Sequence, residues 1–392
     1  MTRRALPATV WALGLVSLLM DVSSEMVHAL LPLFLVGTLG ASTAFVGLVE
    51  GLGEALALLV KLASGPLSDR LGRRNPLVLA GYGLSALTKP LFALAWAPAV
   101  VLAARLIDRT GKGLRGAPRD ALIADVTPPD RRGSAYGLRQ ALDTLGAVLG
   151  PLLASAILLV PGGSIRLVFW LAALPAAAAV ALILWKVREP PAPAAAPAQG
   201  AAAGGRAPLG PAFRRLLPVG LCFGLGRLSL AFLILRGADL GLPAAAAPLV
   251  LAAVSVIEAA VSWPFGRLHD RIGPRLPLAL ALAALAAAHA ALALADGLAW
   301  LGAGLVLWGL HLGMAQGVLS AAVAEAVPPA RRATAFGVFN ALLGVALLAG
   351  NSGAGLLWDR AGPAAAFGFG AAAALAGLAL WLAAGPRRGG RG

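Results

Sequence analysis

The sequence predicts an all-α membrane protein in which twelve transmembrane helices form two pseudo-symmetric six-helix bundles. Three observations carry that prediction. The chain is more apolar than a water-soluble domain, its basic residues fall on alternate connections between apolar stretches, and segments of its first half recur in its second at a shift of about 200 residues.

Hydrophobic residues make up 59% of the 392 and charged residues only 12%, against roughly half and a quarter in ordinary soluble domains, and the mean hydropathy is +0.84. Hydrocarbon offers no partner to exposed peptide groups, so a chain crosses it as helices of ~20 apolar residues or as a closed barrel. Twelve such stretches begin near Thr9, Thr43, Pro76, Pro98, Ser134, Arg166, Ala212, Ala244, Arg275, Leu298, Ala333 and Pro363. The short alternating strands of an outer-membrane barrel are a different pattern. The first stretch is too long for a secretory leader and lacks a small-residue cleavage site, so it reads as a retained first helix.

The net charge of +15 would suggest nucleic acid as the partner of a soluble protein. Here its placement suggests topology, with the lipid bilayer as surroundings and no nucleic acid. Basic residues cluster at Arg3 and Arg4, at Arg70, Arg73 and Arg74, at Arg131 and Arg132, over Lys186 to Arg215, at Arg267, Arg271 and Arg275, at Arg331 and Arg332, and at Arg387, Arg388 and Arg391. The connections between these clusters are nearly bare. Positively charged short loops stay cytoplasmic. That rule puts both termini in the cytoplasm, makes the number of crossings even, and describes a multi-pass protein of the plasma (bacterial inner) membrane. The single cysteine, Cys222, has no partner for an intramolecular disulfide and lies in an apolar run as a small core residue.

The segment Ala124-Asp125-Val126-Thr127-Pro128-Pro129-Asp130-Arg131-Arg132 recurs as Ala324-Glu325-Ala326-Val327-Pro328-Pro329-Ala330-Arg331-Arg332. In nearly the same register, Gly65-Pro66-Leu67-Ser68-Asp69-Arg70-Leu71-Gly72 recurs as Gly266-Arg267-Leu268-His269-Asp270-Arg271-Ile272-Gly273. Two halves follow: an N-terminal bundle over 1–188, a Pro/Ala/Gly-rich cytoplasmic linker over 189–211, and a C-terminal bundle over 212–392. Paired halves around a long central loop are the architecture of transporters that rock two bundles about a midplane site.

These segments resemble the major facilitator superfamily, and the resemblance covers essentially the whole chain. Gly65-x-x-x-Asp69-Arg70-x-Gly72-Arg73-Arg74 is similar to the family's signature loop between helices two and three. Arg105, followed twenty residues later by Asp125, resembles its helix-four pattern. Gly146-x-x-x-Gly150-Pro151 in helix five resembles the motif of the bacterial drug/proton antiporter branch, although the glycine pair expected after the proline is Ala154-Ser155 here. The resemblance implies a conformational latch built from Gly65, Asp69, Arg70, Gly72, Arg73, Asp125 and Arg132. Its physical basis is an aspartate set against a helix N-terminus, worth ~0.3–1 kcal/mol, together with charge-assisted Arg–carboxylate pairs. The N-terminus of helix eleven, after Pro328-Pro329, is the expected acceptor. In the second copy Pro274 replaces Arg73, so that copy should latch less well.

Ionisable residues inside spans are costly and usually face a cavity or each other. Helix one carries Asp21, Glu25 and His28 at i, i+4 and i+7, on one face. Helix two carries Glu50 and Glu54, with Lys61 further on, and helix four carries a basic stripe of Arg105, Arg109, Lys112, Arg115 and Arg119. Helix five adds Arg139 and Asp143. Measured from the outer ends of their helices, Glu50 and Arg105 lie ~10 Å deep and Glu54 and Arg109 ~16 Å deep, so two depth-matched ion pairs are expected. The candidate set for substrate binding and proton coupling is therefore Asp21, Glu25, His28, Glu50, Glu54, Arg105, Arg109, Lys112, Arg139 and Asp143. A variant reading makes Asp21, Glu25 and His28 a divalent-metal site, but three side chains on one helix seldom converge unaided, and the expectation is no bound metal and no cofactor. His289, His311, Gln316, Asn340 and Asn351 are isolated in apolar surroundings, where they read as satisfied polar residues of the bundle.

The first functional reading is a secondary active transporter working by alternating access, a monomer that couples protons to the export of a small molecule, with the surplus of bases favouring an anionic one. An importer or facilitator on the same fold, for metal ions included, is the alternative, and a non-transporting scaffold or sensor the third. An enzyme is not expected: Gly111-Lys112-Gly113 lacks the glycine spacing and following hydroxyl of a phosphate loop.

Overall fold

The computed structural model describes residues 6–187, 189, 209–315, 317–328 and 331–384, and the side chains of all of these except Asp270, Ala333 and Ala384. Most of the predicted linker, the basic residues at both chain ends, Gln316, Pro329 and Ala330 fall outside the described residues. The secondary structure of the described residues is helical throughout. The segments are α1 (Ala8–His28), α2 (Leu31–Leu33) leading into a π-turn over Phe34–Thr38, α3 (Thr43–Leu71), α4 (Asn75–Leu94), α5 (Pro98–Val126), α6 (Arg132–Leu159) and α7 (Ile165–Lys186). They continue with α8 (Gly210–Gly226), α9 (Leu230–Asp239), α10 (Pro248–Ile272), α11 (Arg275–Ala293), α12 (Leu298–Ala315), α13 (Val318–Glu325), α14 (Arg332–Ala361) and α15 (Pro363–Ala384).

Eleven spans among the described residues are long and apolar enough to cross a membrane. The twelfth expected crossing is α5, which at 29 residues is long enough but carries the basic stripe together with Asp108, Asp120 and Asp125. Lipid would not tolerate that face. The helix instead buries Arg105, Asp108, Arg109 and Arg115, with Asp108 bonded to Lys89 and Arg115 to Ser85 of α4. Leucines and tryptophans such as Leu87, Leu174, Leu184, Trp96 and Trp185 stand exposed elsewhere, as the surface of a multi-pass membrane protein requires.

The chain divides into two compact units. One comprises 1–41, 56–197 and 243–252, and the other 42–55, 198–242 and 253–392. Helix α3 is thus divided, residues 43–55 belonging to the second unit and 56–71 to the first. The first unit's core is built by Val10, Leu13, Val16 and Met20 of α1, Val78 and Tyr82 of α4, Leu122 and Ile123 of α5, and Ala176, Ala179 and Ile183 of α7. Its counterpart in the second unit gathers Phe213, Leu216 and Phe223 of α8, Leu278 and Leu282 of α11, Val323 of α13, Phe339 of α14 and Trp381 of α15.

Several spans are interrupted rather than continuous. The seventh breaks at Arg227–Ser229 between α8 and α9, and the tenth between α12 and α13, where Gly317 takes the left-handed φ of +77° that a side chain would resist. Prolines do not mark these breaks: Pro66, Pro90, Pro118, Pro151, Pro175, Pro218 and Pro264 all sit inside continuous helices.

Candidate functional site

The first unit encloses a network of charges where α1, α4 and α5 meet. Lys89 of α4 is fully buried and donates to Asp108 Oδ1 at 3.1 Å and to Ser24 Oγ at 3.2 Å. The other Asp108 oxygen lies 3.9 Å from His28 Nε2, and His28 Nδ1 lies 3.3 Å from Glu25 Oε1. A chain of ionisable groups, Glu25–His28–Asp108–Lys89, therefore runs across three helices. The basic stripe faces it: Lys112 and Arg109 act on Glu25, Arg105 on His28, and Lys112 and Arg115 on Asp21, against the like charge of Asp143 from α6. Further along, Arg119 Nη1 donates to Ser17 Oγ at 3.0 Å and to Tyr82 Oη at 3.3 Å, while Arg139 bridges to Asp143 at 2.8 Å.

Asp108 and Lys89 were not among the candidates drawn from the sequence, yet they form the centre of this network. A signal existed: a lysine within an apolar span needs a partner, and Asp108 lies on the next helix after a short turn. Among the described residues no group of three or more His, Cys, Asp or Glu side chains is arranged to hold a metal. The Asp21, Glu25, His28 metal variant is corrected accordingly. Glu25 and His28 pair with each other and His28 turns to Asp108, while Asp21, one turn earlier on α1, is not part of that chain.

Close packing locks the acids in place. The Cβ that a side chain would add at Gly146 of α6 meets Leu18 O at 2.8 Å and Asp21 Cβ at 2.9 Å. At Gly150 it meets Val22 O at 2.7 Å and Glu25 Cβ at 2.8 Å. The glycines of the helix-five motif are therefore the residues that let the α6 backbone lie directly on Asp21 and Glu25. Pro151 is buried beside them, and Ser155 Oγ donates to Ala245 O at 2.5 Å.

At the loop between α3 and α4, the guanidinium that joins the acids belongs to Arg74. Its Nη1 lies 2.5 Å from Asp69 Oδ1 and 2.9 Å from Ser68 Oγ, and its Nε lies 3.5 Å from Asp125 Oδ2. Arg73, to which the sequence reading gave this bridge, is exposed, as are Arg70 and Arg132. Burial opposes the charge on Arg74, but the hydrogen bond and charge of Asp69 and the charge of Asp125 outweigh it and raise the guanidinium above its ordinary range. Gly72 has φ +61°, which makes it the residue the turn needs. Gly65 has room beside Ala117 and no tight contact. The loop has one further participant: the Glu189 carboxylate accepts from the backbone N–H groups of Arg74 and Asn75, an anion capping the N-terminus of α4. The sequence reading had placed Glu189 at the start of a free linker.

In the second unit the break between α8 and α9 is capped by side chains. Asn351 Oδ1 accepts from Ser229 N at 2.7 Å, and Ser229 Oγ donates to Glu50 at 2.9 Å. His289 Nε2 reaches Gly226 O at 2.7 Å. Glu50 and Glu54 belong to this unit, whereas Arg105 and Arg109 belong to the first. At the start of α3 the Asp359 carboxylate accepts from Thr43 N at 3.0 Å and Ala44 N at 2.8 Å, which makes it a two-pronged N-terminal cap.

Comparison with known proteins agrees with this architecture. The model described as Major Facilitator Superfamily matches residues 13–350 and 216–391. An uncharacterized MFS-type transporter of Methanocaldococcus jannaschii is 30% identical over 363 residues, covering 91% of this chain and 89% of its own. The multidrug resistance protein MdtH of Edwardsiella ictaluri is 31% identical over 142 residues, 36% of this chain and 35% of its own. The solved structure of the human organic anion transporter MFSD10 superimposes with a TM-score of 0.71 at 22% identity, over 97% of this chain and all of that one.

Proposed function

The chain belongs to the Major Facilitator Superfamily, a transporter of small molecules and not an enzyme, and from that premise we propose that it works by alternating access as a proton-coupled exporter of an anionic compound. The observation that carries the proposal is the seam where Gly146 and Gly150 of α6 press onto Asp21 and Glu25 of α1, opposite Lys112, Arg109 and Arg115. A carboxylate held that closely between a helix backbone and a row of cations senses any displacement of either helix. Moving α6 or α5 changes the charge and packing around Asp21 and Glu25, and so changes their hold on a proton. Binding and releasing that proton in turn favours one helix arrangement over the other.

Around the charge network of the first unit, the bases Lys89, Arg105, Arg109, Lys112, Arg115, Arg119 and Arg139 outnumber the acids Asp21, Glu25, Asp108, Asp120 and Asp143. That surplus draws an anion into a low-dielectric cleft. The partial match to a multidrug resistance protein and the helix-five glycines support export as the direction. Arg74 with Asp69, Asp125 and Glu189 serves as the cytoplasmic latch, with both termini on that side of the plasma membrane and the monomer as working unit.

The test is flux in proteoliposomes with an imposed pH gradient, using labelled organic anions. An outward-directed flux that rises with the gradient in wild type and loses its gradient dependence in Glu25→Gln and Asp21→Asn is expected. Flux indifferent to the gradient in the wild-type protein would remove the coupling claim and leave a facilitator.

A further inference from the structure

The second unit contains a cavity of about 250 Å3 that the charge network does not touch. Phe223 and Arg227 at the end of α8, Glu258 of α10, His311 of α12 and Phe339 and Asn340 of α14 line it. Pockets for drug-sized ligands run to roughly 300–1,000 Å3. This one is smaller, which points to a compact ligand instead of a bulky one.

His311 fixes the polarity of what can enter. Its side chain is fully buried, its ring lies 5.7 Å from that of Phe223, and its Nδ1 is 2.8 Å from Ala281 O. A carbonyl oxygen can only accept, so the hydrogen-bond network assigns the ring proton to Nδ1, and in the neutral ring Nε2 is then a bare acceptor. Nε2 is enclosed and has no protein partner. A buried acceptor left unmade costs ~1–3 kcal/mol; in the resting packing no water-sized group reaches Nε2, so a ligand O–H or N–H restores that loss as the cavity wall yields to admit it. Arg227 sits on the same lining, at the break where α8 ends, as a planar fork suited to a carboxylate. Phe223 and Phe339 supply aromatic walls.

We propose that this cavity binds a small carboxylate with an apolar or aromatic body and a hydroxyl or amino donor: Arg227 takes the carboxylate, His311 Nε2 accepts the donor's hydrogen, and the two phenylalanines pack on the body. The proposal rests on the transporter reading for its purpose, because it names the substrate class, but its test does not depend on proton coupling. Binding is measured at equilibrium on the purified full chain in detergent, by thermal stabilisation and fluorescence titration. The probes are 3-phenyllactate, 3-phenylpropionate, which lacks the donor, and 2-phenylethanol, which lacks the carboxylate.

Wild type is expected to prefer phenyllactate over each of the others by about tenfold or more, as one unmade buried hydrogen bond implies. Arg227→Gln should erase the preference over phenylethanol. His311→Asn keeps a donor facing Ala281 O but loses the second nitrogen, so it should erase the preference over phenylpropionate while the protein stays folded. Equal binding of the three probes, no binding of phenyllactate, or rankings unchanged in both variants would overturn the proposal. Loss of gradient-driven flux in Glu25→Gln with phenyllactate binding intact would count against the coupling reading alone.

Discussion

Removing the carboxylate of Asp108 should be among the most damaging single changes in the membrane core. Lys89 is fully buried and Asp108 is 3% exposed; the lysine's other polar contact is Ser24 Oγ. In Asp108→Ala the ammonium keeps its desolvation penalty and loses the charge that offsets it, which for a buried pair broken on one side costs roughly 3–5 kcal/mol. At ~2–4 °C per kcal/mol for a body of 150–250 residues, the unfolding midpoint should fall by on the order of 10 °C. The double variant Lys89→Met/Asp108→Leu replaces the pair with apolar groups of similar volume and should recover most of that loss. Thermal unfolding of the detergent-purified protein, followed by loss of monodisperse protein on size-exclusion chromatography, reads both. If Asp108→Ala melts within about 2 °C of wild type, or the double variant is as unstable as the single one, the pair is not the buried, mutually dependent unit described here.

Other changes separate neighbouring residues that the sequence alone treats alike. Gly146→Val places atoms where Leu18 O and Asp21 Cβ already sit and should cost about 1–3 kcal/mol and reduce transport, whereas Gly137→Ala, on the same helix with nothing within 4 Å, should be neutral or slightly stabilising in the same melts. Arg74→Gln should slow transport by weakening the bridge between Asp69 and Asp125, while Arg73→Gln should leave initial flux rates near wild type; equal effects of the two would contradict the assignment of the bridge to Arg74. Asp359→Asn removes the charge and one of two acceptors at the α3 N-terminus and should lower stability by ~0.5–2 kcal/mol, measurable as a lower midpoint without loss of the purified species.

Much of this architecture was legible because lipid permits few solutions. Long apolar runs had to be helices, and eleven of the expected crossings are spans long and apolar enough among the described residues. Helix α5 was legible as a charged span, and the face of α1 carrying Asp21, Glu25 and His28 followed from helical spacing. The partners across helices were not legible, because a one-dimensional pattern does not say which face of α4 meets α5. Lys89 was passed over for that reason, and the adjacent arginines 73 and 74 could not be told apart. The break at Arg227–Ser229 was equally hidden. No proline announces it, and the in-helix prolines that might have suggested kinks sit in helices that continue through them.

What makes that break possible is visible only in the packing. Opening a helix in hydrocarbon exposes peptide groups at a cost of several kcal/mol each unless something replaces the lost bonds. Here His289 serves Gly226 O, Asn351 serves Ser229 N, and Ser229 Oγ turns to Glu50. The sequence reading took His289 and Asn351 as isolated, satisfied polar residues. Their bonds, through His289 Nε2 and Asn351 Oδ1, go to backbone groups that an unbroken helix would have paired internally, so their presence and the interruption of the seventh span are one structural fact. Replacing either by an apolar residue of similar size should therefore act on the break itself. Asn351→Leu leaves Ser229 N without its acceptor, and the segment must either rewind toward a continuous helix or admit water. The consequence for binding follows from position: Arg227, at the end of α8, owes its place on the cavity wall to the interruption, so Asn351→Leu should weaken binding of an anionic ligand even though residue 351 does not line the cavity.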